Sequence, residues 1–328
     1  MKTRRLHFLT KLSLFIFGAS FLGSLHAQSL QFTRVQRLTN NEVALTLTAP
    51  IGSAYRIESS PNGLDWNGYL TFATNVTTSL QNTDSAAPYL PIRYYRAVQL
   101  TGSNIVAGEH LATTAGDVII QPRSHATFVM QWNGKMIYND PAPPATYTGL
   151  PKADLILITH DHSDHFNAAA IDAVRGPGAV IIVTKTVYNI LSVAQKNIAI
   201  VLTNGMVTNA LGLTVEAVPA YNISNSNHPL GVGNGYVLTI GGKHIYIAGD
   251  TEDVPTMRAL TDIDIAFVPI NRPYTMFLSN AVSAVREFRP KIVYPYHYYP
   301  STPTTDLNLF KRQVGTDLGI EVRLRKWY

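Results

Sequence analysis

The stretch Ile156-Leu157-Ile158-Thr159-His160-Asp161-His162-Ser163-Asp164-His165 constrains this chain more than any other. The apolar run from Asp154 to Thr159 is continuous in Leu and β-branched residues, the pattern of a short strand buried on both faces. It ends in three histidines and two aspartates within six residues, although the 328-residue chain has only ten histidines. A loop that merely had to be solvated would not concentrate imidazoles in this way. In extended backbone, residues i and i+2 face the same side, so His160 and His162 can reach one metal ion. Asp164 and His165 follow as the chain turns into an Ala-rich helical stretch from Phe166 to Val174, and can reach a second ion close by. Whatever the fold, it must carry a buried strand whose C-terminal end opens onto a ligand-rich loop and then a helix.

These residues spell His-x-His-x-Asp-His, and here the chain resembles the metallo-β-lactamase superfamily. The likeness extends over roughly Gly108 to Tyr328. Asn139-Asp140-Pro141, after an apolar run from Lys135, resembles the family's first motif. Ala220-Tyr221-Asn222, with His228-Pro229 and the Gly-rich run Gly231 to Tyr236, resembles its third. Ala248-Gly249-Asp250-Thr251 matches the fourth, and Tyr294-Pro295-Tyr296-His297-Tyr298 the last. Within the superfamily the chain is most similar to the branch of ascorbate-6-phosphate lactonase and the N-acyl-phosphatidylethanolamine-hydrolysing phospholipases D, not to the antibiotic-degrading lactamases.

The resemblance implies an α+β fold, an αββα four-layer sandwich. It also implies a ligand set. One ion would be held by His160, His162 and His228, the second by Asp164, His165 and His297, with Asp250 bridging them and taking part in catalysis. Imidazoles and carboxylates without thiolates suit two zinc ions, with manganese or iron as alternatives. Two ions ~3.5–4 Å apart bring the pKa of a shared water to near ~7, giving hydroxide at neutral pH. Asp161 faces away from the ligands and would either orient or protonate, as in relatives of this type, or serve as a structural hydrogen-bonding residue. Asp140 would orient the loop histidines by accepting a ring N–H, and His125 would support the site from behind without ligating. Asn222, Arg272 and Tyr274 would border the substrate pocket, with Arg272 as an anchor for an anionic group. Tyr221, Tyr296, Tyr298 and Tyr299 would give the mouth an aromatic character.

Ahead of this region lies a different composition. Lys2, Arg4, Arg5 and Lys11 precede an apolar core from Leu12 to Leu25, the layout of a secretion signal over residues 1–27. The apolar stretch is short for a membrane span of ~20 residues, so no stable membrane insertion is expected once it is cut. Its removal takes four basic residues and leaves 22 basic against 21 acidic, a net charge of +1 where the full chain has +5. A near-neutral mature chain carries no electrostatic footprint for nucleic acid. The chain has no cysteine, which excludes disulfides, thiolate ligands and a cysteine nucleophile. An exported protein held by packing alone fits a bacterial periplasm or extracellular setting.

Residues 28–102 read as a small all-β module. Alternation at Val43 to Thr48, Tyr55 to Ser59, Val76 to Leu80 and Arg93 to Val98 is separated by Pro/Gly/Asn turn clusters. The spacing resembles fibronectin type III modules. Trp66 and Tyr94-Tyr95 are either a carbohydrate-stacking platform or core. Thr101 to Asn104 is the expected linker, and residues 103–328 form the hydrolase domain. Helices are expected over Ala168 to Arg175, Val187 to Gln195 and Ser279 to Phe288, and Gly241-Gly242 reads as a hairpin turn. The function this supports is an exported metal-dependent hydrolase cleaving an ester, lactone, amide or phosphodiester bond of a small molecule. The competing readings are a metal-stabilised surface or binding protein, and a redox enzyme of the same fold. His162, where the family's di-iron flavoproteins carry Glu, counts against the last.

Overall fold

The computed structural model describes residues 30–73, 77–90, 92–101, 105–301 and 305–328. The expected signal segment, Val76 and the linker residues Gly102 to Asn104 lie outside the described residues. The chain divides into two compact units between Glu109 and His110.

Among the described residues the first unit is all-β apart from one turn of 3-10 helix at Ala87–Tyr89. Its strands are β1 (Gln31–Arg37), β2 (Val43–Thr48), β3 (Ala54–Ser60), β4 (Asn67–Phe72), β5 (Ser79–Asp84) and β6 (Tyr94–Leu100). One antiparallel sheet has the order β1-β2-β5; in the other, β3 pairs with both β4 and β6. Gly108 and Glu109, at the start of β7 (Gly108–Leu111), pair with β4. The alternating pattern of β2 turns Val43, Leu45 and Leu47 inward, where they meet Tyr55 and Ile57 of β3 and Tyr69 of β4. Trp66 does not take the core position. It is half-buried outside that core, with the Arg96 guanidinium 4.4 Å above its ring.

In the second unit, one sheet has the order β8 (Val118–Ser124), β9 (Thr127–Trp132), β10 (Lys135–Asn139), β11 (Ala153–Leu157), β12 (Arg175–Val183), β13 (Ala199–Val201). Pairing is antiparallel from β8 to β10 and parallel from β10 to β13. The other sheet has the order β14 (Val207–Ala210), β15 (Leu213–Ala220), β16 (Gly233–Ile240), β17 (Lys243–Ile247), β18 (Ile265–Pro269), β19 (Ile292–Tyr296), β20 (Glu321–Val322). The helices are α1 (Ala168–Val174), α2 (Lys185–Ile190), α3 (Val193–Lys196), α4 (Pro255–Arg258), α5 (Leu278–Phe288) and α6 (Leu307–Val314). The architecture is an α+β sandwich, as expected. Period-two alternation explains the layering. Phe128, Met130, Ile137, Leu155, Leu157 and Ile182 of the first sheet share one core with Val215, Leu238, Ile245 and Phe267 of the second. Their neighbours Val129, Met136, Tyr138, Ile156 and Ile181 are buried on the opposite face. A sheet buried on both faces reads as continuous apolar sequence, which is why β11 did.

Gly241 and Gly242, both with positive φ, close the hairpin in which Ile240 pairs with Lys243. The helix expected over Val187 to Gln195 is two helices. Ser192 starts the second with a capping box: its hydroxyl accepts from Gln195 N, and the Gln195 side chain accepts from Ser192 N. A Ser with Gln three residues later is a stronger start signal than apolar periodicity is a continuation signal.

The two sheets are joined at their centre by Phe128 and Phe267, stacked with centroids 4.1 Å apart. The fully buried Trp327 lies edge-on to both rings, at 6.1 and 6.2 Å. Phe267→Ala should cost about 3–5 kcal/mol, seen as a lower urea midpoint for the second unit with an unchanged slope. A loss below about 1 kcal/mol would show that these rings do not carry the sheet–sheet packing.

Candidate metal centre

The second unit gathers its chemistry on loops at strand ends. His160 to His165 follow β11, His228 lies on the loop between β15 and β16, Asp250 follows β17, and His297 follows β19. Behind them, Asp140 follows β10 and His125 sits in the turn between β8 and β9. Backbone geometry at these points is unusual. Asp140, His125 and His297 have φ of 43°, 55° and 45°, the left-handed region that costs a non-glycine residue roughly 1–2 kcal/mol. Backbone bonds hold them there: Asp140 N donates to Leu157 O at 2.9 Å and His297 N to His125 O at 3.3 Å. Gly249 has φ 65°, and a Cβ there would lie 2.9 Å from Asn234 O and 3.2 Å from the Thr159 Cβ. Only glycine admits the turn that aims Asp250 inward.

The result is a single cluster organised around the two oxygens of Asp250. Oδ2 is 3.3 Å from His228 Nε2 and 4.0 Å from His160 Nε2, and His228 Nε2 is 3.2 Å from His162 Nδ1. Oδ1 is 3.3 Å from both His165 Nε2 and His297 Nε2. Asp164 Oδ2 closes that second group, 3.4 Å from His297 Nε2 and 3.8 Å from His165 Nε2. One carboxylate therefore faces two sets of donors. Within each of the groups His160/His162/His228, His160/His165/Asp250 and His125/Asp164/His165/His297, the donor atoms lie within 4.8 Å of one another.

The far side of several rings is anchored. His228 Nδ1 donates to Tyr274 O at 3.0 Å, leaving Nε2 as the free face. His165 Nδ1 donates to Asp140 Oδ2 at 2.9 Å, the orienting contact expected of Asp140. Asp140 also accepts from Thr159 N and Thr159 Oγ1, each at 2.8 Å. His297 Nδ1 lies 3.2 Å from Nδ2 of Asn271, and Asn271 Oδ1 makes no hydrogen bond. Exchanging the amide's oxygen and nitrogen would give Oδ1 the Nδ1–H as its donor and leave Nε2 free.

Charge is concentrated to match. Burial opposes ionisation of Asp250, but the neighbouring His297 and His165 hold its carboxyl well below the usual range. Asp164 is likewise held far down against burial, by bonds to His125 and His297. Burial pushes His160 well below the ordinary imidazole value, helped by the charge of His165. His165 goes the other way: burial opposes its protonation, and Asp250 and Asp140 overcome it. The cluster thus calls for positive charge between its carboxylates. Four buried atoms aimed into it, His160 Nε2, His165 Nε2, His297 Nε2 and Asp250 Oδ1, make no hydrogen bond. Each such orphan costs about 1–3 kcal/mol. A metal cation would satisfy all four, and the donor set fits one.

The remaining predicted residues fall outside the cluster. Asp161 is half-exposed and belongs to none of the three donor groups. Asn222 is buried and braces the His228 loop, its Nδ2 donating to Tyr274 O and Asn225 Oδ1. Tyr274 contributes its carbonyl, while its ring is exposed. The Arg272 guanidinium is paired with Glu252 at 3.3 Å and stacked 3.9 Å above the Phe277 ring, so its charge is balanced before any anion arrives. Tyr296 and Tyr298 are buried rather than lining a mouth. Tyr296 packs in the core and its hydroxyl accepts from Gly249 N at 3.0 Å. Sequence reading missed Thr159, Glu252 and Tyr328. Glu252 accepts from Ile223 N and Ser224 N, both at 2.8 Å, and so ties the His228 loop to the Asp250 turn. Its place two residues after Asp250 was the only available signal.

Comparison with known proteins agrees with a metal-dependent hydrolase of this fold. Residues 120–297 match the family model described as the beta-lactamase superfamily domain. A UPF0173 metal-dependent hydrolase of Pyrococcus abyssi is 30% identical over 202 residues, covering 58% of this chain and 89% of its relative. One from Ligilactobacillus salivarius is 34% identical over 213 residues, covering 62% and 95%. Among solved structures, a Parabacteroides distasonis protein assigned as a metal-dependent hydrolase is 41% identical with a TM-score of 0.60, covering 66% of this chain and 97% of that one. A metallo hydrolase from Ignicoccus hospitalis is 29% identical with a TM-score of 0.55, covering 64% and 95%.

If Asp140 fixes the His165 ring, Asp140→Asn should weaken metal binding by about 10–100-fold while the fold is retained. Calorimetric titration with zinc measures this, and unchanged affinity would show that the Asp140–His165 contact serves packing alone.

Proposed function

The chain belongs to the metallo-β-lactamase superfamily and is a metal-dependent hydrolase of that fold; from that premise we propose an exported, two-metal enzyme that cleaves an ester, lactone, amide or phosphodiester bond of a small molecule. The observation that carries the two-metal reading is the division of Asp250, with Oδ2 facing His160 and His228 and Oδ1 facing His165 and His297. His160, His162 and His228 would hold one ion, and Asp164, His165 and His297 the other. Imidazole and carboxylate donors without thiolate favour zinc, with manganese and iron as alternatives. When bound, the pair would polarise the scissile group and lower the pKa of a water toward neutrality.

The chain's own residues do the positioning. Tyr274 O, Asp140 and Asn271 fix the rings of His228, His165 and His297 before any substrate binds, which spares reorganisation during reaction. Asp161, half-exposed beside the ligand loop, is the group we assign to protonating the leaving atom. Because Arg272 is already paired with Glu252, neutral carbonyl substrates are favoured over anionic ones. The likeness to ascorbate-6-phosphate lactonase keeps lactones foremost. The β module, which resembles fibronectin type III domains, we regard as an accessory that leaves the ligand set complete without it. Export rests on the signal pattern of residues 1–27, and mature protein recovered from the periplasm or medium should begin near Gln28.

A panel of neutral esters, lactones, amides and phosphodiesters tests the reading. Turnover should vanish on chelation and return with zinc. Asp250→Asn should fold normally and lose far more than the ~10–100-fold typical of a residue behind the ligands. Activity that survives complete metal removal would contradict the proposal.

A further inference from the structure

His125 was expected to stand behind the ligands, yet its ring is in the cluster. Its backbone is held in the left-handed turn by a bond from its N to Trp327 O at 2.9 Å. Its ring lies 3.8 Å, centroid to centroid, from that of His297. Two contacts define which nitrogen carries the proton. Nδ1 meets the hydroxyl of Tyr328. That hydroxyl has a single proton, and it donates it to Tyr298 O at 2.8 Å. A carbonyl can only accept, so the Tyr328 oxygen must receive, and His125 Nδ1 must donate.

The neutral ring is then left with a bare lone pair on Nε2. That atom lies 2.9 Å from Asp164 Oδ2. With Nδ1 carrying the ring proton, a metal ion held against both atoms would be their common partner. The same Asp164 oxygen is 3.4 Å from His297 Nε2, and the donor atoms of His125, Asp164, His165 and His297 all lie within 4.8 Å of one another.

We propose that His125 Nε2 is a direct ligand of the second ion, and that Tyr328 is the positioning residue that fixes the ligating tautomer. This rests on the two-metal reading above. The second ion then has five protein donors, from His125, Asp164, His165, Asp250 and His297, against four for the first. Five exceed the tetrahedral set of a closed zinc site, so the two positions differ in the coordination number they favour.

Cobalt(II) titrated into the metal-depleted full chain, followed by calorimetry and visible absorption, tests this without any substrate. Wild type should take up two equivalents. In His125→Ala one equivalent should keep its affinity, while the other weakens by at least the ~10–100-fold seen for supporting residues. Its absorption should intensify as the coordination number falls. Tyr328→Phe leaves the imidazole in place but frees its tautomer, and should weaken the same equivalent by about 10–100-fold with an unchanged near-ultraviolet dichroism spectrum. It decides the matter alone if His125→Ala does not fold. Two equivalents of wild-type affinity and spectrum in both variants would overturn His125 as a ligand and leave the two-metal reading standing. A wild-type protein that binds only one equivalent would overturn both.

Discussion

A carboxylate buried among imidazoles is the constraint on which the second unit depends. Asp250 is all but inaccessible, and removing an ion from water costs several kcal/mol unless opposite charge meets it. Among the described residues its ion-pair partners are His160, His165, His228 and His297, and none is a Lys or Arg. Those same histidines leave three ring nitrogens without hydrogen bonds. A packed apolar core of equal volume would be more stable than this arrangement without a cation. The surrounding structure is intelligible as the frame that holds these groups at ligand distance until a metal balances them.

That frame is built from two sheets whose inner faces share one core. β11, β17 and β19 each deliver a ligand at the end where the apolar run stops. The strands supply rigidity, and three left-handed residues supply direction. At Asp140, His125 and His297 the chain turns more sharply than a strand end otherwise would. Strained backbone of this kind is retained where a side chain must be aimed. The loops bearing His228 and Asn271 are tied together by Glu252, Asn222 and the Tyr274 carbonyl, so the mouth of the site is braced from outside the metal cluster.

Much of this was legible in the sequence, for definite reasons. β10 was read to within a residue and β11 overlaps its run, because both are buried on two faces and continuous in apolar residues. The ligand types stood out because His and Asp at strand ends have few other reasons to cluster. Long-range relations were not legible. β1 and β4 carry weak alternation in sequence, and α4 and α6 depend on tertiary packing of residues such as Met257 and Phe310. Tyr296 looked like a pocket residue because aromatic sequence does not say which face it occupies. Arg272 looked like a free cation because Glu252, its partner, is distant in sequence. Tyr328, far from His125 along the chain, carried no signal at all.

The claim that one buried carboxylate serves two ions is tested most directly by locating the metals. Crystals of the protein grown with zinc and measured on both sides of the zinc absorption edge should show two anomalous peaks. One should lie among His160, His162 and His228, the other among Asp164, His165 and His297, with Asp250 between them. A single peak, or two that do not share Asp250, would contradict the account.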